Sequence, residues 1–187
     1  MPRTQLSSMH CSIARTFGAL GDGWSALILR DVFVGLNRFE DLRADLGISR
    51  KILSARLKSL EAAGILMPTA YQRRPLRYEY RLTAAGEELV PPILALLAWG
   101  DRWTVKRDGP PALIFHRGHA ARATVVCDSC GEAMAARDLS VRAGPGGKSA
   151  PGTKEIGAWI GGARAGLRAR RRRAQRPCAS LGGRAWR

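Results

Sequence analysis

The apolar positions of the chain change period several times, and each change marks an element. Ile13, Phe17 and Leu20 fall on one face of a helix over Cys11–Leu20. Gly21-Asp22-Gly23 makes a turn. Trp24, Leu27, Ile28 and Val32 then recur at helical spacing over Trp24–Phe33, with Trp24 read as core. Phe39, Leu42 and Leu46 form a third stripe, opened by Asn37 as N-cap with Glu40 three residues on, close to a capping box. Gly47 suits a left-handed helix end, and Ser49 can cap the next helix at once. Only Gly47-Ile48 lies between those two helices, so they must cross sharply, as in a helix-turn-helix.

The next helix is predicted over Arg50–Ala63 and ends at Gly64. Leu53, Leu57 and Leu60 share one face at i, i+4 and i+7. At about 100° per residue, Lys51, Ser54, Ala55 and Lys58 point the other way. That outer face is small, polar and basic, which suits a helix lying in a major groove. The same pattern would also serve a solvated face with two lysines. Downstream, Ile65-Leu66-Met67 and the alternating Tyr78–Leu82 predict two strands, with Pro68–Arg77 as the loop between them. Arg73, Arg74 and Arg77 sit near that tip, where a wing would meet DNA backbone. Thr83 can cap a long helix reaching Trp103, striped by Leu89, Ile93, Leu96, Leu97, Gly100 and Trp103. Pro91-Pro92 predicts a kink in it.

The fold class that follows is mainly α with a small β-wing (α+β): a winged helix-turn-helix, whose long apolar stripe to Trp103 either meets a partner surface or packs on its own domain, with a small C-terminal β/zinc-ribbon-like appendix and a disordered basic tail. The predicted parts are a flexible lead over 1–10, the DNA-binding and dimerisation domain over 11–103, the appendix over 104–143 and the tail over 144–187.

Gly21-Asp22-Gly23-Trp24, Ile28-Leu29-Arg30-Asp31, Arg38-Phe39, Asp41-Leu42, Leu53–Leu57 and Leu60–Gly64 together resemble the HxlR family. Tyr78-Glu79-Tyr80, Leu82-Thr83 and Gly86 extend the resemblance, which runs from Cys11 to Trp103. It implies a homodimeric transcription regulator, related to the MarR group, that binds double-stranded DNA without enzymatic activity. It also implies that the terminal helices form the dimer interface. It names neither target gene nor effector. Arg38, Ser49 and Arg50 join Lys51, Ser54, Lys58, Arg73, Arg74 and Arg77 as the candidate DNA-contacting set.

Cys11 reads as a small hydrophobe at a helix start, or as a redox sensor where the helix dipole stabilises negative charge. Some HxlR members sense oxidants or aldehydes through a cysteine here. In the appendix, Leu113-Ile114-Phe115 and Ala123–Val126 predict short strands. Cys127-x-x-Cys130-Gly131 resembles a zinc-knuckle half-site, and His116-x-x-His119 could supply two more ligands. Longer HxlR members carry Cys-Gly-His where this chain has Arg117-Gly118-His119, so one expected sulfur is missing. Zinc is therefore one reading and a reduced thiol pair the other.

Charge sharpens the partner. The 187-residue chain carries a formal +16, which calls for a polyanion. Residues 147–187 hold 11 Lys+Arg against one acid, with Arg170–Arg173 the densest run, so the tail raises the charge more than the domain does. Rich in Gly, Ala and Arg and without hydrophobic period, the tail is predicted to be disordered. It supports a second reading, a general basic nucleic-acid binder. A zinc-dependent enzyme is a third, but zinc deaminases need His-x-Glu, and no Glu follows His116 or His119 at that spacing. Walker, Gly-x-Ser-x-Gly and Rossmann motifs are absent. No signal peptide and no run of about 18 apolar residues is present, and four cysteines are too few for a disulfide scaffold. A cytoplasmic protein with reduced thiols and no membrane partner is expected.

Overall fold

The computed structural model describes residues 6–104 and 109–156. These fall into two compact units: residues 6–8, 12–104 and 109–123 in one, residues 9–11 and 124–156 in the other. The Arg170–Arg173 run lies outside the described residues.

The larger unit carries α1 (Ser12–Leu20), α2 (Gly23–Phe33), α3 (Phe39–Leu46), α4 (Arg50–Ala62), β1 (Leu66–Arg73), β2 (Leu76–Leu82) and α5 (Ala84–Trp103). A small hairpin of β3 (Ile114–His116) and β4 (His119–Ala121) follows. Its core is made by Ile28, Leu29 and Val32 of α2, Leu42 of α3, Ile48 of the turn, Leu53, Leu57 and Leu60 of α4, and Ile65-Leu66. Each such side chain contributes about 1.5–3 kcal/mol by leaving water. Leu20, Phe39, Leu46, Tyr80, Leu82, Leu89 and Ile93 pack around it.

Several expectations need correcting. Trp24 is 37% exposed, not core. The face of α2 turned inward is Ser25, Ile28, Leu29 and Val32, a clean i, i+3, i+4, i+7 set, which leaves Trp24 and Leu27 at its margin. Asn37 does not cap α3. The cap position is Arg38, whose extended backbone bridges to Glu79, while the Asn37 carbonyl accepts the Tyr80 N–H at 2.8 Å. The chain there makes a single bridge beside the two-stranded hairpin, so the Asn37 carbonyl is spent on β2. Glu40 pairs with Arg43 at 3.0 Å and Arg50 at 2.7 Å rather than closing a capping box. The Arg43 hydrogen bond, with Arg50 beside it, holds the Glu40 carboxyl below the usual carboxylate range. Ala123–Val126 is not a strand, apart from a single bridge between Val126 and Ala133.

The other caps form as read. Gly47 is left-handed at φ 63°, and the Ser49 hydroxyl accepts the Ile52 N–H at 3.2 Å. Thr83 accepts the Gly86 N–H at 3.2 Å and donates to the Gly64 carbonyl at 2.6 Å, which ties α5 to the end of α4. Helix α5 continues through Pro91 and Pro92. The two prolines remove donors that would reach Glu87 and Glu88, exposed residues whose carbonyls water can serve.

Gly86 is buried where α5 abuts the Ile65 carbonyl, and a methyl group there would collide with that backbone oxygen. Gly86→Ala should destabilise the unit by about 1–2 kcal/mol, because overpacking of up to ~3 kcal/mol outweighs the ~1 kcal/mol helix-propensity gain. Chemical denaturation checks this; an unchanged or raised midpoint would show that α5 can shift freely at this joint.

Asp31 is buried beside Arg30, at 2.6 Å, and Arg30 also reaches Asp45 of α3 at 3.0 Å. Burial raises the Asp31 carboxyl above its ordinary value against the pull of Arg30. Its contribution to stability is therefore fullest below the unfolded-state pKa and declines as pH rises through the folded one.

Candidate nucleic-acid interface

Helix α4 is fixed from behind and free in front. Leu53, Leu57 and Leu60 are no more than 1% exposed. At its side, Arg56 pairs with Asp22 at 2.6 Å, and Asp22 also accepts the Trp24 N–H as the N-cap of α2. This ion pair sets the rotation of α4 against α2. Sequence reasoning missed it, since the partners are 34 positions apart and only Asp22's place in a Gly-Asp-Gly turn marked it. With α4 so held, Lys51, Ala55 and Lys58 are exposed and Ser54 is half-buried.

The hairpin is longer than expected. Its strands reach Arg73 and resume at Leu76, so the turn is only Arg74-Pro75, with a cis peptide between them. The pairing is antiparallel with an irregularity between Ala70 and Gln72. Arg73, Arg74 and Arg77 are all exposed at its end, Arg77 opposite Gln72 and Arg73 opposite Leu76. The Gln72 side-chain amide donates to the Arg74 carbonyl at 3.0 Å, steadying the tip.

Charge pairing separates two groups of cations. Arg30, Arg43, Arg50, Arg56 and Arg81 are all ion-paired within the fold. Among the described residues, Lys51, Lys58, Arg73, Arg74 and Arg77 have no carboxylate partner. Within residues 23–82, the cations without a carboxylate partner are these five and Arg38, and the five lie on the outer face of α4 and at the tip of the hairpin. The remaining candidates are anchored: Arg38 stacks its guanidinium 4.4 Å from the Tyr71 ring centroid, Ser49 is the α4 cap, and Arg50 holds Glu40 and lies over Phe39.

The metal candidates come together as two pairs. His116 and His119 face each other across β3–β4 with ring centroids 5.6 Å apart, joined by Arg117-Gly118, both at positive φ. Two positive-φ residues are what a type I′ hairpin turn uses. Cys127 and Cys130 belong to the smaller unit. Among the described residues, no group of three or more His, Cys, Asp or Glu side chains is placed to hold a metal ion. Cys11 is a half-buried free thiol directly ahead of α1. In the smaller unit, the His10 ring lies 2.6 Å from the Gly146 carbonyl. Residues 144–156, the start of the expected tail, form hydrogen-bonded turns, with Gly147 N–H donating to Gly144 and the Thr153 hydroxyl to Lys148.

A capped two-helix unit, a basic outer helix face and an arginine-tipped antiparallel hairpin together define a winged helix-turn-helix DNA-binding protein. Residues 19–108 match the HxlR-like helix-turn-helix family, and the chain belongs to it. It is 39% identical over 140 residues to the uncharacterized HTH-type transcriptional regulator Rv3095 of Mycobacterium tuberculosis, covering 74% of this chain and 89% of that one. It is also 39% identical over 109 residues to the uncharacterized HTH-type transcriptional regulator sll1512 of Synechocystis, covering 58% and 81%. The crystal structure of PA1607, described as a candidate transcription factor, superposes with a TM-score of 0.65 at 34% identity, over 74% of this chain and 98% of its own. That of PA1374 from Pseudomonas aeruginosa gives 0.52 at 35% identity, over 72% and 93%. The protein is thus a transcriptional regulator of the HxlR group, not an enzyme. Among the described residues, no helix is long and apolar enough to cross a membrane.

Proposed function

We propose that the protein works in the cytoplasm as a homodimer on an inverted-repeat operator and represses by occupying it. Helix α4 enters the major groove, where Lys51, Ser54 and Lys58 reach base edges. The hairpin arginines meet backbone or minor groove. The carrying observation is that within residues 23–82 the cations of the α4 outer face and the hairpin tip have no carboxylate partner, while Arg30, Arg43, Arg50, Arg56 and Arg81 are ion-paired. A folded protein leaves such charge uncompensated at low cost only where water or a polyanion serves it.

The dimer reading rests on apolar side chains left in water. Ile13 and Phe17 of α1 are 70% and 56% exposed, and Leu96, Trp99 and Trp103 of α5 are 65%, 59% and 69% exposed. Exposed aromatic and aliphatic faces of this kind favour association. Selection of bound DNA from a random pool, with sedimentation of the same protein, tests the whole reading. An enriched inverted repeat and a dimer at micromolar concentration are expected. Leu96→Asp should give a monomer that no longer selects the repeat, since a charge cannot be buried in that seam cheaply. A native monomer would remove the dimer. A pool with no enriched sequence would favour the tail-driven nucleic-acid binder instead.

A further inference from the structure

The regulator reading does not use the cleft between the second half of α5 and the β3–β4 hairpin, both of which belong to the larger unit. Leu94, Leu97, Ala98 and Asp101 of α5 line one wall, and Ile114, Ala121 and Arg122 stand on the hairpin side. At about 100° per residue those four helix positions share one face of α5, opposite the exposed Leu96, Trp99 and Trp103. The cleft therefore lies clear of the surface that the dimer reading uses. Its volume is about 400 Å³, because much of the lining is alanine and fills little space. Small ligands occupy clefts of roughly 300–1,000 Å³, so this one suits a small molecule.

Every lining side chain is apolar except Asp101 and Arg122, which carry opposite charges. Asp101 is half-buried and Arg122 is exposed. They do not pair with each other, and among the described residues neither has an ion-pair partner. A carboxylate set in an apolar wall gains from a cation that brings apolar surface with it. The guanidinium offers a fork that fits a carboxylate. A ligand with only a positive charge would be repelled by Arg122, and one with only a negative charge by Asp101. A molecule with both charges close together and an apolar remainder satisfies both groups and the walls. We propose that this cleft binds a small apolar zwitterion, of the class of free amino acids with aliphatic or aromatic side chains. Its ammonium group meets Asp101, its carboxylate meets Arg122, and its side chain lies against Leu94, Leu97 and Ile114.

Calorimetric titration of the full-length protein without DNA tests this, using L-leucine and L-phenylalanine, each beside its decarboxylated amine and its deaminated acid. The expected result is saturable binding of one amino acid per chain, with the amine and the acid each weaker by about tenfold or more. Asp101→Asn should erase the preference for the amino acid over its acid, and Arg122→Gln the preference over its amine. Duplex binding by both variants should be unchanged, which shows that they fold and separates this claim from the regulator reading. Binding of neither amino acid, an amine or acid that binds as tightly as its parent, or binding unchanged in both variants would overturn the proposal.

Discussion

Leu57→Ala should destabilise the winged-helix unit by about 2–5 kcal/mol, the usual cost of emptying a well-packed leucine site. Leu57 is 1% exposed and lies between Leu53 and Leu60 at the centre of the cluster that joins α2, α3 and α4. Its removal takes away about three buried methyl or methylene groups and leaves a cavity that neighbours on three helices cannot all close. A domain of this size is stable by only about 5–15 kcal/mol, so much of the reserve would go. The denaturation midpoint should fall with little change in slope, which marks lost stability rather than a changed unfolded state. Lys58→Ala, one position further on and exposed, should move the midpoint by no more than about 0.5 kcal/mol. This contrast is the energetic form of a two-faced helix. Equal effects at the two positions would mean that α4 is rotated from the orientation set by Arg56 and Asp22.

How much of this was legible in the sequence depends on how local each cause is. The α3–turn–α4 unit could be read because its signals lie within a few residues: Gly47 for the left-handed turn, Ser49 for the cap, and Leu53, Leu57 and Leu60 for the buried face. The HxlR resemblance added the dimer role of the terminal helices; their spans, like the wing, were read from the residues themselves. Local signals misplaced Asn37, since its carbonyl serves Tyr80, 43 positions later. The wing was read too short for a different reason. Residues 67–78 have no buried face, so no alternation of apolar and polar positions marks them as strand. The α5 stripe divided along its length: Leu89 and Ile93 pack on the core, while Leu96 and Trp103 are exposed. Periodicity shows a face but not what covers it. The Arg56–Asp22 and Arg30–Asp45 pairs are long-range and left no local trace.

The site itself was half legible. The residue types on α4 and at the hairpin tip were visible, but charge at a position does not show whether the fold consumes it. Arg50 and Arg73 are both exposed basic residues near a candidate surface; only the first is held by a carboxylate, Glu40 at 2.7 Å. Arg38 likewise is spent on Tyr71. Three-dimensional pairing distinguishes Lys51, Lys58 and the wing arginines from the ion-paired arginines beside them.

The central claim is that sequence is read by α4 and charge by the wing, and these separate in one measurement. Binding of the native protein, Lys51→Ala, Ser54→Ala and Arg74→Ala is titrated against salt on the selected operator and on a scrambled duplex. Lys51→Ala and Ser54→Ala should each cost about 1–3 kcal/mol on the operator and far less on the scrambled duplex, because a lost base contact matters only where the right base is present. Arg74→Ala should weaken both duplexes alike and lower the salt slope by about one, since a phosphate contact releases the same counterion whatever the sequence. Equal losses on both duplexes for the α4 variants, with a sequence-dependent loss for Arg74→Ala, would contradict the assignment and make the wing the reader.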